Sequence, residues 1–119
     1  MNEIIHYKAT EMAFEPYGGP PGAATIARLV GPDESRTMGA GIATFDGCSI
    51  EWTILYDELI VVLEGNFRLR VGKDYERAIE AGPGDVIWLP ENTPLRYEGE
   101  GAKVFYALHP VDWRQRAAL

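Results

Sequence analysis

A chain of 119 residues, 46% hydrophobic and 24% charged, can bury one core but is too short for two, and its composition excludes a disordered polymer. A formal net charge of −7 argues against nucleic acid or an anionic membrane surface as partner, since both require clustered Lys and Arg against phosphate. The single cysteine, Cys48, excludes an intramolecular disulfide and a thiolate metal cluster within one chain.

The opening residues lack the basic start and apolar core of a signal peptide, and no apolar run approaches the ~18 residues of a membrane span, so a cytoplasmic protein is expected. Ile4–Phe14 is a short extended arm. Pro16-Tyr17-Gly18-Gly19-Pro20-Pro21-Gly22 is dense in residues that leave regular ladders and predicts a connecting or covering loop. Strands are predicted over Ala24–Val30, up to the break at Gly31-Pro32-Asp33, and over Met38–Phe45, whose glycines imply a bend or a close backbone approach. Asp46-Gly47 is a strong turn signal.

A long strand, Ser49–Leu63, is expected to turn tightly at Glu64-Gly65-Asn66 and return as Phe67–Val71, with Phe67, Leu69 and Val71 on one face and Arg68 and Arg70 on a solvated one. Shorter strands are predicted at Ala78–Ala81, Val86–Leu89, Leu95–Tyr97 and Lys103–His109, separated by turns at 82–85, 90–94 and 99–101. Pro110 stops the last strand, and Val111–Leu119 can form a short helix anchored by Trp113. Many short strands with Gly and Pro turns predict an all-β sandwich or barrel. The chain is divided into an arm and loop (1–23), a β-barrel (24–110) and a tail (111–119).

Glu58 is the one acid inside an apolar run, followed directly by Leu59-Ile60-Val61-Val62-Leu63. A carboxylate held there must be paired, hydrogen-bonded or neutral, because burying it otherwise costs several kcal/mol. Strand alternation sends Trp52, Ile54, Tyr56, Glu58, Ile60 and Val62 to one face, and Thr53, Leu55, Asp57, Leu59, Val61 and Leu63 to the other. Both faces are largely apolar, so the second needs a cover of its own, and a homodimer is expected.

DELIVVLEG (57–65) and AGPGDVIWLPENTP (81–94) resemble the two motifs of the cupin family, which implies a double-stranded β-helix, or jelly-roll, barrel. In that family the motifs supply three histidines and a glutamate to a metal. Here the histidine places fall on Trp52, Ile54 and Leu95, or, with a longer spacing, the first two fall on Glu51 and Thr53. The resemblance therefore implies that the usual metal site is lost, and no cofactor is expected.

The wider pattern EWTILYDELIVVLEG, GDVIWLPENTPLRYEG and FYALHPVDW is similar to the cupin domain of the ethanolamine-utilisation protein Q family, over roughly Gly39 to Trp113. That resemblance implies a link to ethanolamine breakdown and to shell-bound microcompartments, and an acetate kinase activity has been attributed to the family. Some members carry a long N-terminal extension where this chain has a short arm and loop. No Gly-rich phosphate loop of the Walker or dinucleotide type is present.

If Glu58 points into the barrel, as the cupin resemblance implies, Trp52 and Tyr56 share its cavity. An apolar lining with a few placed polar groups is the make-up of a small-molecule site. Glu58 and Tyr56 are the candidate catalytic residues, Glu58 as acid/base or hydrogen-bond anchor and Tyr56 as its partner. Trp52, Ile54, Trp88, Leu95, Arg96 and Tyr106 are the candidate substrate-binding residues, each with a core-filling or solvated role as the alternative. Tyr106 and His109 have opposite parity, so an unbroken strand sends only one inward. Cys48 has no basic neighbour and is a poor nucleophile. The expected ligand is a small amine or carboxylate metabolite. Two alternatives stay open: a metal-dependent isomerase or dioxygenase using Glu58 and His109, and a non-catalytic microcompartment or regulatory module whose cavity would be filled by side chains.

Overall fold

The structure, a computed structural model, describes residues 3–117. Its strands are β1 (Glu15–Pro16), β2 (Ala23–Val30), β3 (Gly39–Asp46), β4 (Ser49–Thr53), β5 (Asp57–Val71), β6 (Arg77–Ala81), β7 (Val86–Leu89) and β8 (Pro94–His109), followed by one short helix, α1 (Trp113–Ala117). Pairing runs β1-β2-β3-β8-β5-β6, with β4 on β8 and β7 on β5, and every pair is antiparallel. This is the all-β jelly-roll barrel that the turn spacing and motifs predict. No helix among the described residues is long and apolar enough to cross a membrane.

The registers divide the strands into two layers. In the first, β3 pairs with β8 from Ala102 to Leu108, and β5 pairs with β7 from Glu58 to Val61. In the second, β4 pairs with β8 from Pro94 to Glu98, and β5 pairs with β6 from Phe67 to Val71. Strands β5 and β8 therefore serve both layers and form the spine of the barrel.

Three expectations are corrected here. Glu64-Gly65-Asn66 is no hairpin turn: β5 runs on through it, and both of its halves pair with β8, with register shifts between Val62 and Asn66. Gly99-Glu100-Gly101 likewise lies inside one continuous strand. The glycines are used because the two strands bend together where they pass between layers. A Cβ on Gly65, whose φ is +71°, would lie 2.1 Å from the Gly101 carbonyl oxygen. Bulges of this kind re-aim a strand without ending it.

The long strand expected over Ser49–Leu63 is instead broken at Ile54-Leu55-Tyr56, and the chain there is tied to the 90–94 turn by Ile54 N–H to Thr93 O (3.2 Å) and Asn92 N–H to Ile54 O (2.8 Å). The core fills the space between the layers. Phe45 of β3 packs on Phe67 of β5 and on Tyr97 of β8, with ring centroids 5.4 and 5.6 Å apart. Ile54, Ile60, Val62, Leu69, Leu95 and Val104 are fully buried around them, each contributing ~1.5–3 kcal/mol through burial. On the outer face of the second layer, Arg68 bonds Glu80, Glu98 and Glu100, and Arg70 bonds Glu98. This is the polar face that the alternation of Arg68 and Arg70 predicts.

Candidate functional site

One end of the barrel is not filled by side chains. A cavity of about 490 Å³ opens there, lined by aromatic and aliphatic residues of β2, β3, β5 and β8 and closed over by the Tyr17-Gly18 loop and the start of α1. Trp113 forms part of this roof: its ring lies 5.1 Å from Tyr56 and 6.0 Å from Trp52. The tail segment is pinned by Val111 N–H to Thr37 O at 2.9 Å.

Glu58 faces this cavity from β5 and is only 5% exposed. Its Oε1 accepts a 2.8 Å hydrogen bond from the Tyr97 hydroxyl, which β8 delivers from across the barrel. No protein donor reaches Oε2, yet no fully buried side-chain oxygen among the described residues is left unbonded, so Oε2 opens on the cavity. Burial pushes the Glu58 carboxyl up to about 7, and the Tyr97 hydrogen bond offsets part of that rise. Burial and the nearby Glu58 charge raise the hydroxyls of Tyr97, Tyr56 and Tyr17 above the ordinary range. Burial raises Tyr106 to about 12. All four stay neutral and can only exchange hydrogen bonds.

The sequence-predicted residues separate into two groups. Glu58, Tyr56, Trp52 and Tyr106 are brought together on the cavity wall. The Trp52 indole N–H points to the Tyr56 hydroxyl at 3.4 Å, so Tyr56 is tied to Trp52, and the partner of Glu58 is Tyr97. Tyr106 fits against β3 because position 41 is glycine, where a Cβ would lie 2.5 Å from its hydroxyl.

The other four lie elsewhere, as does His109 of the metal alternative. Ile54 and Leu95 are core residues with no exposed surface and do not line the cavity. Trp88 is 59% exposed on the outer face of β7, opposite Leu59. Arg96 is on the outside of β8, where it bonds Glu51 at 2.8 Å and covers the Tyr75 ring. His109 is exposed and pairs with Asp57, on the face away from Glu58.

Sequence reasoning did not single out Tyr97, Tyr17, Arg28 or Arg114 as site residues. Alternation within Leu95-Arg96-Tyr97 was the available signal for Tyr97, since it places Arg96 opposite its neighbours. Tyr17 and Arg114 reach the cavity through the loop and tail beside it and Arg28 from β2, and no local pattern marks them. The cupin metal ligands do not fit either. Trp52, Ile54 and Leu95 carry no metal-binding atom, and among the described residues no three His, Cys, Asp or Glu side chains converge.

Comparison with known proteins agrees with the fold. The family model described as "Ethanolamine utilisation protein EutQ" matches residues 4–115. A curated relative from Escherichia coli K12, named acetate kinase EutQ, is 28% identical over 98 residues, which cover 82% of this chain and 41% of that protein. Curated relatives of the same name from Clostridioides difficile and Salmonella typhimurium are covered over 60% and 42% of their length, so this chain spans about half of the proteins it matches. Among solved structures, the Clostridium difficile EutQ protein superposes with a TM-score of 0.73 at 23% identity, covering 82% of this chain and 70% of that one. An RmlC-like cupin from Shewanella frigidimarina superposes with a TM-score of 0.70 at 16% identity, covering 92% and 95%.

Proposed function

Because this chain belongs to the ethanolamine utilisation protein EutQ family and has the cupin fold, we propose that its barrel is a small-molecule site in which Glu58 is the working group. The carrying observation is a carboxyl group 5% exposed, bonded on one oxygen by Tyr97 and open on the other to a cavity of about 490 Å³. A group poised near neutral pH can both take and return a proton, which is what general acid–base chemistry needs. Tyr97 fixes the rotamer and stabilises the ionised form; Trp52, Tyr56 and Tyr106 exclude water and hold the ligand's apolar part. Of the two expected ligand classes, a small amine or a carboxylate metabolite, the Glu58 carboxyl favours the amine.

The open cavity favours this reading over a purely docking or regulatory module, whose barrel needs no empty space. The position of His109, on the far face of β8 from Glu58, supports no metal centre built from that pair, and no step is routed through a metal. The name acetate kinase belongs to relatives about twice as long as the region shared. In this cavity an acetate or phosphate anion meets a carboxylate, so phosphoryl transfer by this domain alone is not part of the proposal.

The test is a thermal-shift screen of small metabolites against the wild-type chain and Glu58→Gln. Ligands that raise the wild-type midpoint but not that of the variant support the reading. A variant that keeps its fold, every ligand affinity and any turnover sinks it.

A further inference from the structure

The proposal here rests on the ligand-site reading above and names the chemical class of the ligand. We propose that the Glu58 cavity takes an organic ammonium cation, held with its charge against Glu58 Oε2 and its alkyl groups against the aromatic walls.

The first support is charge pairing. Of the acids that line the cavity, Glu51 bonds Arg96 and Asp112 bonds Arg116, whereas no ion pair among the described residues includes Glu58. Neither of the two arginines at the cavity pairs with Glu58 among the described residues: Arg28 pairs with Glu15, and Arg114 lies over the Trp113 ring of the cavity wall at 4.9 Å. Desolvation and the Tyr97 hydrogen bond set the acidity of Glu58, while the Arg28 and Arg114 charges act on the Tyr17 and Tyr106 hydroxyls. A buried carboxylate without a cation is costly. The missing partner is one that a ligand can bring.

The second support is the wall. Tyr17, Trp52, Tyr56, Tyr106 and Trp113 line the same cavity as Glu58. The negative face of an aromatic ring attracts a cation, and a desolvated cation–π contact is worth ~2 kcal/mol. Four of these rings carry no cation among the described contacts, Trp113 being covered by Arg114, and with one carboxylate they suit a positive charge with apolar substituents. An anion meets Glu58 unfavourably, and a neutral ligand leaves its charge uncompensated.

Proton linkage follows from the same geometry. The titratable and charged groups that line the cavity with Glu58 are Tyr56 in the segment just before β5, Glu51 on β4, Tyr97 and Tyr106 on β8, Tyr17 on the covering loop, Arg28 on β2, Asp112 before α1 and Arg114 on α1, with Glu51 and Asp112 held by Arg96 and Arg116. The tyrosine hydroxyls are all raised and stay neutral, so Glu58 is the group whose titration burial moves into the neutral range. Cation binding selects its ionised form. Affinity therefore falls as pH drops below about 7, and binding near that pH releases protons.

The test is calorimetric titration of the full chain at pH 8 and pH 6 with three probes of one shape: choline, the neutral 3,3-dimethylbutan-1-ol and the anionic 3,3-dimethylbutanoate. The expected result is choline binding at least ~10-fold tighter than the alcohol at pH 8, weakening ~10-fold at pH 6. Proton release is read from the heat difference between two buffers. Glu58→Gln should remove the choline preference while leaving the alcohol's affinity in place; the comparison among probes needs only the wild-type chain if that variant fails to fold. Equal or tighter binding of the alcohol or the anion, still sensitive to Glu58→Gln, overturns the cation assignment and leaves the Glu58 site standing. Silence from all three also overturns it, and the underlying reading then stands or falls by the metabolite screen.

Discussion

Glu58 sits where a carboxylate is expensive, and the cost has a definite pH signature. Its folded-state pKa is raised from 4.5 to about 7, so between those values the folded chain holds a proton that the unfolded chain has released. Stability is then highest at low pH within that window and declines as pH rises, levelling off above about 7 with a loss of roughly 3 kcal/mol. Glu58→Gln keeps the shape and removes the charge. Urea-unfolding midpoints from pH 5 to pH 8 should fall for the wild-type chain and stay nearly flat for the variant; parallel curves count against a buried, titrating Glu58. Tyr97→Phe acts on the same group from the other side. It deletes the one hydrogen bond that favours the ionised form, so the Glu58 carboxyl should titrate still higher, and stability should drop by ~1–2 kcal/mol. A carbon-detected NMR titration of Glu58 in the two proteins measures the direction.

The two shared strands, β5 and β8, set where everything else lies, and their bend is the most constrained point in the barrel. Gly65→Ala adds a Cβ at a φ of +71° and drives it into the Gly101 carbonyl, which predicts a loss of several kcal/mol or failure to fold. Gly82→Ala, with nothing within 4 Å of its added carbon, should shift the midpoint little, and equal effects of the two substitutions would remove the argument from close approach. The same bend explains what the sequence could and could not reveal. Glu64-Gly65-Asn66 carries the residue types of a hairpin turn, but pairing with β8, some 40 residues downstream in sequence, keeps the chain going, and local turn chemistry cannot report that. Glu58 was legible because a lone acid in an apolar run needs a reason. Its partner was not, since Tyr97 arrives from β8, 39 residues along the chain. The break at Ile54-Leu55-Tyr56 interrupts the alternation, so Ile54 goes to the core while Trp52 and Tyr56 line the cavity. Trp88 and Arg96 fall on outer faces because their strands' parities are set by pairing with Leu59 and Glu51.

At the scale of the whole molecule, one outer face remains to be accounted for. Leu59 and Leu63 of β5 and Val86 and Trp88 of β7 are all substantially exposed, with Trp88 opposite Leu59 and Val86 opposite Val61 in the ladder. This is the second apolar face of the long strand, for which alternation predicts a cover. Among the described strands β7 pairs only with β5 and has four residues, so its far edge offers unpaired backbone groups next to that apolar patch. Such an edge is normally blunted by charge, or else paired, and four large apolar side chains do not blunt it. A second copy of the chain, related by a two-fold axis beside β7, would pair the edges and bury both patches at once. The net charge of −7 opposes association over most of the surface, which confines a stable contact to an uncharged area such as this one. We therefore predict a dimer at micromolar concentration, and we predict that Trp88→Glu, by placing a charge at the centre of each patch, raises its dissociation constant at least ~100-fold. Sedimentation velocity on both proteins measures this, with circular dichroism to verify that the variant keeps its fold. A wild-type chain that sediments as a monomer at ~50 μM, or a variant that dimerises as well as the wild type, would place the cover elsewhere.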